Sequence, residues 1–171
     1  NRIIVTGATP GVGKSFVSAN FAALLAAGGK RVLLIDADLR KGHLNQYFGV
    51  GRAKGLSELV AGSIRTEEAL RKGLVPNLDL ITTGVLPPNP AELMMSPALP
   101  AILDQLSAAY DLVIIDTPPV LVAADTPAIA VHVGTVLMVA RAEQTQMGEL
   151  HECAKRLTHA GKGITGVLLN A

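Results

Sequence analysis

Residues Gly7-Ala8-Thr9-Pro10-Gly11-Val12-Gly13-Lys14-Ser15 stand between a β-branched run, Arg2 to Thr6, and an apolar helical pattern that begins at Phe16. Small residues let several consecutive backbone N–H groups turn toward one point, and the following helix adds its positive N-terminal end. A strand, loop and helix in this order bind a polyphosphate mainly through the main chain. Ala8 stands where the usual spacing has glycine, but Gly7 lies beside it. The stretch therefore predicts a phosphate-binding loop.

Two side chains of this loop carry the predicted chemistry. Lys14 would reach the β- and γ-phosphates of a nucleotide, and the Ser15 hydroxyl would ligate Mg²⁺. A glycine-rich turn without a ligand is the alternative, and the order of strand, loop and helix argues against it. The residues predicted to contact the nucleotide in this part of the chain are Thr9, Pro10, Gly11, Val12, Gly13, Lys14, Ser15 and Phe16.

The composition fits one compact domain that spans residues 1–171. With 49% hydrophobic residues the chain can bury a full core, and its one cysteine, Cys153, cannot form an internal disulfide, which suits a reducing compartment. A net charge of +1, scattered basic residues and 3% aromatic residues argue against a nucleic-acid partner. No apolar stretch is long enough to cross a bilayer. The chain starts at the edge of a predicted strand and ends directly after another, so we expect a domain excised from a longer protein.

Short apolar runs alternate with helical patterns along the chain, which is typical of a parallel sheet covered by helices on both faces. The predicted strands are Arg2–Thr6, Arg31–Asp36, Leu78–Thr82, Leu112–Asp116, Gly134–Ala140 and Ile164–Leu169. Val, Ile and Leu dominate them without polar alternation, as in strands buried on both sides. The predicted fold class is α/β, a three-layer α/β/α arrangement of the P-loop NTPase type with a mostly parallel central sheet.

Three helices can be placed by their patterns. The first stops at Gly28–Gly29, and the residues predicted on its packing side are Val17, Phe21, Leu24 and Leu25. A late helix is predicted to face the core with Met147, Leu150, Ala154 and Leu157. Between them, the turn Pro87-Pro88-Asn89-Pro90-Ala91-Glu92 predicts a helix start, with Asn89 as the cap, Pro90 at the first helical position and Glu92 closing the cap.

Carboxylates follow two further predicted strands, at the edge where ligands gather in open parallel sheets. Asp36 and Asp38 come at and after the end of the second strand, and Asp116 ends the strand that begins at Leu112. Because Mg²⁺ prefers oxygen ligands and keeps several waters, Ser15 with Asp38 or Asp116 would satisfy it. Asp36 is the preferred candidate to accept or orient the proton of an attacking hydroxyl. A lone aspartate after a strand often only caps the next turn, but two such sites weaken that alternative.

Four segments together resemble the bacterial tyrosine kinases, and more narrowly the cytoplasmic kinase domains of Wzc-type exopolysaccharide co-polymerases. They are Ala8–Ser15, Val32–Gly42, Leu86–Leu93 and Ile114–Pro119. The resemblance spans nearly the whole chain, and its specificity depends on the doubled acidic motifs together with the proline-rich turn. It implies ATP and Mg²⁺, and transfer of the γ-phosphoryl group to tyrosine hydroxyls with Lys14, Asp36 and Asp38 as catalytic residues. It also implies that Asn170, just after the last predicted strand, contacts the adenine base.

The same resemblance implies partners and a location. Such kinases autophosphorylate within a ring-shaped homo-oligomer that flanking segments support, and tyrosine-rich tails of neighbouring subunits are their main acceptors. They act with the polysaccharide export machinery and a cognate phosphatase, so we expect a cytoplasmic domain tethered to the bacterial inner membrane through a missing upstream segment. The chain departs from this pattern because it holds only Tyr47 and Tyr110, both predicted to pack, and because His43 stands where some relatives have a regulatory tyrosine.

Two other functions stay open at this point. A MinD/ParA-type ATPase switch shares the fold and the acidic motifs, but it usually carries a signature lysine where this chain has Thr9. A nucleotide-sensing subunit without phosphotransfer would need only the phosphate loop. The residues that argue against it, all intact, are Lys14, Ser15, Asp36, Asp38 and Asp116. Three basic residues have open roles. Arg40 and Lys41 lie either in a surface loop or near the transferring phosphate or the incoming tyrosine, and Arg141 either contacts nucleotide or a neighbour or faces solvent.

Overall fold

In the computed structural model, which describes residues 1–171, a seven-stranded sheet forms the centre of the fold. Its strands are β1 (Arg2–Gly7), β2 (Val32–Asp36), β3 (Leu70–Val75), β4 (Leu78–Ile81), β5 (Leu112–Asp116), β6 (Thr135–Arg141) and β7 (Gly166–Asn170). Their order in space is β3-β4-β2-β5-β1-β6-β7, and every neighbouring pair is parallel except β3 and β4. The predicted mostly parallel sheet is confirmed.

Helices cover both faces of this sheet. They are α1 (Lys14–Ala27), α2 (Leu44–Tyr47), α3 (Leu56–Val60), α4 (Thr66–Ala69), α5 (Pro90–Met94), α6 (Ala98–Ala109), α7 (Asp125–Ala130) and α8 (Met147–His159). One apolar cluster joins strand residues such as Ile4 and Ile115 to α3 and α5 through α8, and a second joins Val5 and Ile114 to α1. Because both faces are covered, alternate residues of one strand are equally apolar, which explains the continuous apolar runs in the sequence. The three-layer prediction is confirmed.

The strand β3 is the part of the sheet that the sequence pattern does not predict. It pairs antiparallel with β4 at one edge of the sheet, and the register shifts between Arg71 and Val75. Lys72 and Gly73 at its centre are exposed, and Gly73 has a φ of +69°. An edge strand without two buried faces needs no apolar run, and charged residues there discourage pairing with other chains. The continuous apolar run that predicts the central strands is therefore absent from β3.

Helix α1 packs on the sheet mainly through small residues. Ser18, Ala22 and Ala26 are buried, whereas Leu24 is 71% exposed. The prediction that Leu24 belongs to the packing side is therefore wrong, while its predicted companions Val17, Phe21 and Leu25 are partly buried against the core. Small side chains let a helix backbone approach a sheet closely. The positions of the large apolar residues therefore predicted the wrong packing face for α1.

Two other helix predictions are corrected in detail. In α8 the residues Cys153 and Leu157 are fully buried, but Met147 is 67% exposed at the first helical position. Helix α5 begins at Pro90 as predicted, yet Asn89 makes no side-chain capping bond to the backbone. Its amide instead donates to the Glu92 carboxylate at 2.6 Å. The start of the helix was right and the capping contact was wrong.

The two tyrosines differ. Tyr110 is half-buried and donates its hydroxyl to Asp79 at 2.6 Å, so its predicted packing role with a polar partner is confirmed. Tyr47 is 47% exposed, and its ring lies 5.9 Å from that of His43, so the prediction that it packs is wrong.

None of the helices combines the length and the apolar character that crossing a membrane requires.

Candidate active site

The phosphate loop lies between β1 and α1, as the sequence predicts. Gly11 and Gly13 have φ values of +83° and +94°, which residues with a side chain rarely adopt. A Cβ atom on Gly7 would lie 2.5 Å from Val12 Cγ2, so the loop is closed tightly upon itself there. Helix α1 begins at Lys14, and the first N–H groups of a helix have no partner within it. This arrangement suits an anion held by backbone amides and the helix end.

Two distant side chains hold the carbonyl groups of the loop. Asn170, at the end of β7, donates its amide to Val12 O at 3.1 Å, and Arg141, at the end of β6, donates to Gly11 O at 3.0 Å. A Cβ on Gly13 would lie 2.3 Å from Asn170 Nδ2, so glycine and asparagine fit together there. The structure thus gives Arg141 a role as a support of the loop. The contact of Asn170 with adenine stays a prediction.

Asp116 ends β5 directly below the loop. Its buried carboxylate accepts hydrogen bonds from Ser15 Oγ at 2.6 Å and from Ser18 Oγ at 3.0 Å. Burial raises the pKa of Asp116 above its ordinary value, against the charge of Lys14 and the two hydroxyls, which lower it. The structure therefore brings together two of the three predicted metal ligands. Sequence reasoning missed Ser18, although its position one turn after Ser15 on the same helix was an available signal.

Asp36 lies on β2 as the direct neighbour of Asp116 on β5. Its side chain accepts the backbone N–H groups of Leu44 at 2.9 Å and Asp38 at 3.2 Å, and the residue is 1% exposed. Burial, followed by repulsion from Asp116, raises the pKa of Asp36 to about 8, against these two N–H bonds, which lower it. The carboxyl is thus protonated near neutral pH. A perturbed carboxyl at a strand end is a recognised sign of a functional site.

Asp38 differs from Asp36 because it borders open space. Its Oδ1 accepts the backbone N–H groups of Arg40 at 3.2 Å and Lys41 at 3.0 Å, and no protein group donates to Oδ2. A cavity of about 170 Å³ opens beside it. The residues that line this cavity are Pro10, Gly11, Lys14, Asp38, Arg40, Lys41, His43, Pro118, Pro119 and Val122. The predicted Lys14 and Asp38 therefore face one space, whereas Phe16 is exposed and lies outside this lining.

A larger cavity lies elsewhere. A space of about 420 Å³ lies at the amino ends of β2, β4 and β5, bordered by Arg31 and Tyr110 among others. It contains none of the residues that the motifs predict, and one of its two carboxylates, Asp79, is already bonded to Tyr110. We assign the site to the smaller cavity because charged groups and turned amides converge there, at the carboxyl ends of parallel strands.

The donor set fits Mg²⁺ bound together with a nucleotide. No three or more His, Cys, Asp or Glu side chains are arranged to hold a metal ion by themselves. A magnesium ion at a nucleotide usually takes one or two protein ligands and completes its shell with phosphate oxygens and water. Ser15, Asp38 and Asp116 offer hard oxygen atoms of this kind. The residues therefore fit a metal ion that is bound together with a nucleotide.

Comparisons with known proteins identify the family of this chain. The AAA domain family matches residues 1–162. EpsB of Ralstonia nicotianae is 53% identical over 171 residues, and the match covers 100% of this chain and 23% of that protein. The tyrosine-protein kinase Wzc of Salmonella typhimurium is 40% identical, and the match covers 100% of this chain and 24% of that protein. The chain thus spans about a quarter of the length of these relatives. The solved kinase domain of the Escherichia coli tyrosine kinase ETK superposes with a TM-score of 0.97 at 41% identity, covering 100% of this chain and 67% of that one.

The fold also occurs in ATPases of another class. The cell division ATPase MinD of Pyrococcus furiosus matches with a TM-score of 0.83, covering 99% of this chain and 71% of that one, but at 24% identity. That likeness shows the fold alone, and the much closer match to ETK decides between the two classes. The chain therefore belongs to the AAA domain family and, within it, to the kinase domains of the bacterial tyrosine kinases.

Proposed function

We propose that this domain binds ATP with Mg²⁺ and transfers the γ-phosphoryl group to tyrosine hydroxyls. The observation that supports this most is the convergence of Lys14, Ser15, Asp36 and Asp116 from three strand ends at one edge of the sheet, with Ser15 and Asp116 2.6 Å apart. Phosphoryl transfer requires mainly positioning and compensation of charge, and these residue types supply both.

The phosphate loop would hold the triphosphate. The N–H groups of the loop and the start of α1 bind its oxygens, and the Lys14 ammonium compensates charge on the β- and γ-phosphates. Ser15, Asp38 and Asp116 would hold Mg²⁺, which when bound compensates charge that develops on the phosphoryl oxygens. One N–H of the Asn170 amide donates to Val12 O, so its carbonyl oxygen and its second N–H would contact the adenine base.

Two carboxylates compete for the tyrosine proton. Asp36 has a pKa of about 8, so it must lose its own proton before it accepts one from tyrosine, and this pKa lies close enough to neutral pH for a fraction of the carboxyl to be ionised. Asp38 has the open oxygen at the cavity. We assign the proton to Asp36 and the metal to Asp38, because contacts of a buried catalytic base often form only in the substrate complex. A larger fall of turnover than of nucleotide affinity in Asp36→Asn supports this assignment, and the reverse pattern exchanges the two roles.

For the full-length protein we propose the role of a Wzc-type autokinase in exopolysaccharide or capsule synthesis and export. The supporting observations are the name of Wzc as a tyrosine-protein kinase and the share of its length, 24%, that this domain covers. The proposal includes a homo-oligomeric ring formed through flanking segments, tyrosine-rich tails of neighbouring subunits as acceptors, a cognate phosphatase, and a tether to the inner membrane.

The experiment uses the full-length protein with ATP and Mg²⁺. Phosphotyrosine is measured by mass spectrometry, and free phosphate and oligomeric state are measured in parallel. We expect phosphotyrosine in the wild type and about 100- to 1,000-fold less in Lys14→Met, which removes a charge directed at phosphate but little core volume. The melting temperature of Lys14→Met should stay within a few degrees of wild type. Free phosphate with ATP-driven dimerisation and no phosphotyrosine would instead identify a switch, and bound but unchanged ATP a sensor.

A further inference from the structure

One ion pair near the site has no role in the function proposed above. Arg40 Nε and Nη2 donate to Asp125 Oδ2 and Oδ1 at 3.1 and 3.3 Å. The Asp125 side chain is 0% exposed, and Arg40 is its sole side-chain partner. Paired contacts of this kind fix the orientation of both groups as well as their distance. A fully buried carboxylate with one partner 85 residues away is costly to keep unless that partner is present.

The two ends of this pair belong to the two acidic loops. Arg40 follows Asp38 in the loop after β2, and the backbone N–H of Arg40 donates to Asp38 Oδ1 at 3.2 Å. Asp125 begins α7, whose next residue, Thr126, donates its hydroxyl to Pro118 O at 2.6 Å. Pro118 is two residues beyond Asp116. A chain of short contacts therefore runs from one predicted metal ligand to the other.

We propose that Asp125 is a positioning residue for the metal site: through Arg40 it fixes the Asp38 carboxylate relative to Asp116. The inference rests on the proposed function, because it assumes that these two carboxylates act on one Mg²⁺ bound with ATP. Mg²⁺ demands near-ideal octahedral geometry, so a small change in the spacing of two carboxylates costs it more than it costs a free phosphate. Residues behind metal ligands typically change metal affinity by about 10–100-fold when they are replaced.

The test separates the contribution of the metal from that of the nucleotide. The affinity for a non-hydrolysable ATP analogue is measured by calorimetry in EDTA and again with Mg²⁺, on the full-length protein and its variants. Asp125→Asn keeps the size of the side chain and removes its charge. We expect the gain in affinity that Mg²⁺ provides to fall about tenfold, while affinity in EDTA stays within about twofold of wild type. Turnover measured in the same samples should fall as well.

Four further variants make the result specific. Arg40→Gln should reduce the gain from Mg²⁺ as much as Asp125→Asn does, and the double variant should be no worse than either, because both act through one pair. Arg40→Lys keeps a charge beside the buried Asp125 and guards against a folding defect. Asp111→Asn is the matched control, since Asp111 also pairs with an arginine, Arg31 at 2.8 Å, but at the far end of the sheet. It should leave the gain from Mg²⁺ unchanged.

Several outcomes would overturn the inference. An unchanged gain from Mg²⁺ in Asp125→Asn would remove Asp125 from the metal site. Equal losses in EDTA and in Mg²⁺ would show a purely structural role, and additive losses in the double variant would show that the two residues act separately. A wild-type protein whose ATP affinity does not depend on Mg²⁺ would overturn the proposed function itself, and this inference with it.

Discussion

Replacing Asp36 by asparagine should make the nucleotide-free protein more stable at neutral pH while it lowers turnover. Asp36 has a pKa of about 8 in the folded chain against 3.8 as its ordinary value, because burial and the neighbouring Asp116 disfavour its charge. A carboxyl whose folded pKa is raised contributes most stability below pH 3.8, and loses it as the pH rises through about 8. Asparagine has no proton to lose, so it removes this dependence.

The size of the effect follows from the pKa and the hydrogen bonds. One pKa unit corresponds to about 1.4 kcal/mol, so ionisation of Asp36 in the unfolded chain lowers the free energy of unfolding by about 4 kcal/mol at pH 7. Asparagine can accept only one of the two N–H bonds, from Leu44 or from Asp38, which costs about 1 kcal/mol. The net gain is about 3 kcal/mol at pH 7, and it should nearly vanish at pH 5.

The assay is thermal and urea unfolding of the nucleotide-free protein at pH 5 and pH 7. For a chain of this size the gain at pH 7 corresponds to a rise of about 6–12 °C in melting temperature. Asp111→Asn is a control of opposite sign, because the side-chain hydrogen bond from Arg31 lowers the pKa of Asp111 to about 2, so removal of that charge should not stabilise. Equal or lower stability of Asp36→Asn at pH 7, with the pH dependence of the wild type retained, would refute the reasoning.

The remaining predictions concern the metal and the loop. Asp116→Asn should weaken binding of ATP in Mg²⁺ by about tenfold or more and binding in EDTA much less, as calorimetry would show, and equal losses would place Asp116 outside the metal site. Gly13→Ala should lower the free energy of unfolding by about 1–3 kcal/mol and reduce ATP affinity, because Gly13 has a positive φ and a Cβ there would lie 2.3 Å from Asn170 Nδ2. Adding Asn170→Ala should recover the part that comes from the clash, and no recovery in urea unfolding would assign the whole loss to the backbone.

The fold was largely predictable because its central strands are buried on both faces. Such strands need continuous apolar residues, and six of the seven stand out for that reason. The exception, β3, is an edge strand in a hairpin, and Asn77, the residue directly before β4, has a φ of +64°. Strand β3 is held in the sheet by its pairing with β4, and its own residues form no continuous apolar run. Leu24 was misplaced because the buried side of α1 consists of small residues, which carry little hydrophobic signal.

The candidate site was predictable for a topological reason. Asp36 and Asp116 stand at the ends of β2 and β5, Lys14 follows the loop after β1, and parallel strands present their carboxyl ends at one edge. Residues that follow such strands are therefore brought together whatever their distance in the sequence. The supports could not be found in this way, because Arg141 and Asp125 meet Gly11 and Arg40 across 130 and 85 residues. No local pattern marks a pairing of that kind.

The supporting residues matter because the buried carboxyls of the site are costly to keep close together. Asp36 and Asp116 are neighbours on adjacent strands, both buried, and the pKa of each is raised by burial. Ionisation of both carboxyls in that position would make them repel each other, so the raised pKa of Asp36 relieves this repulsion while no cation is bound. Arg40 and Asp125 hold the outer ends of those loops together, and Ser15 and Ser18 bond the inner carboxylate. In the function proposed above, this arrangement would keep a cation-binding geometry in place before the cation arrives, which is the preorganisation that phosphoryl transfer requires.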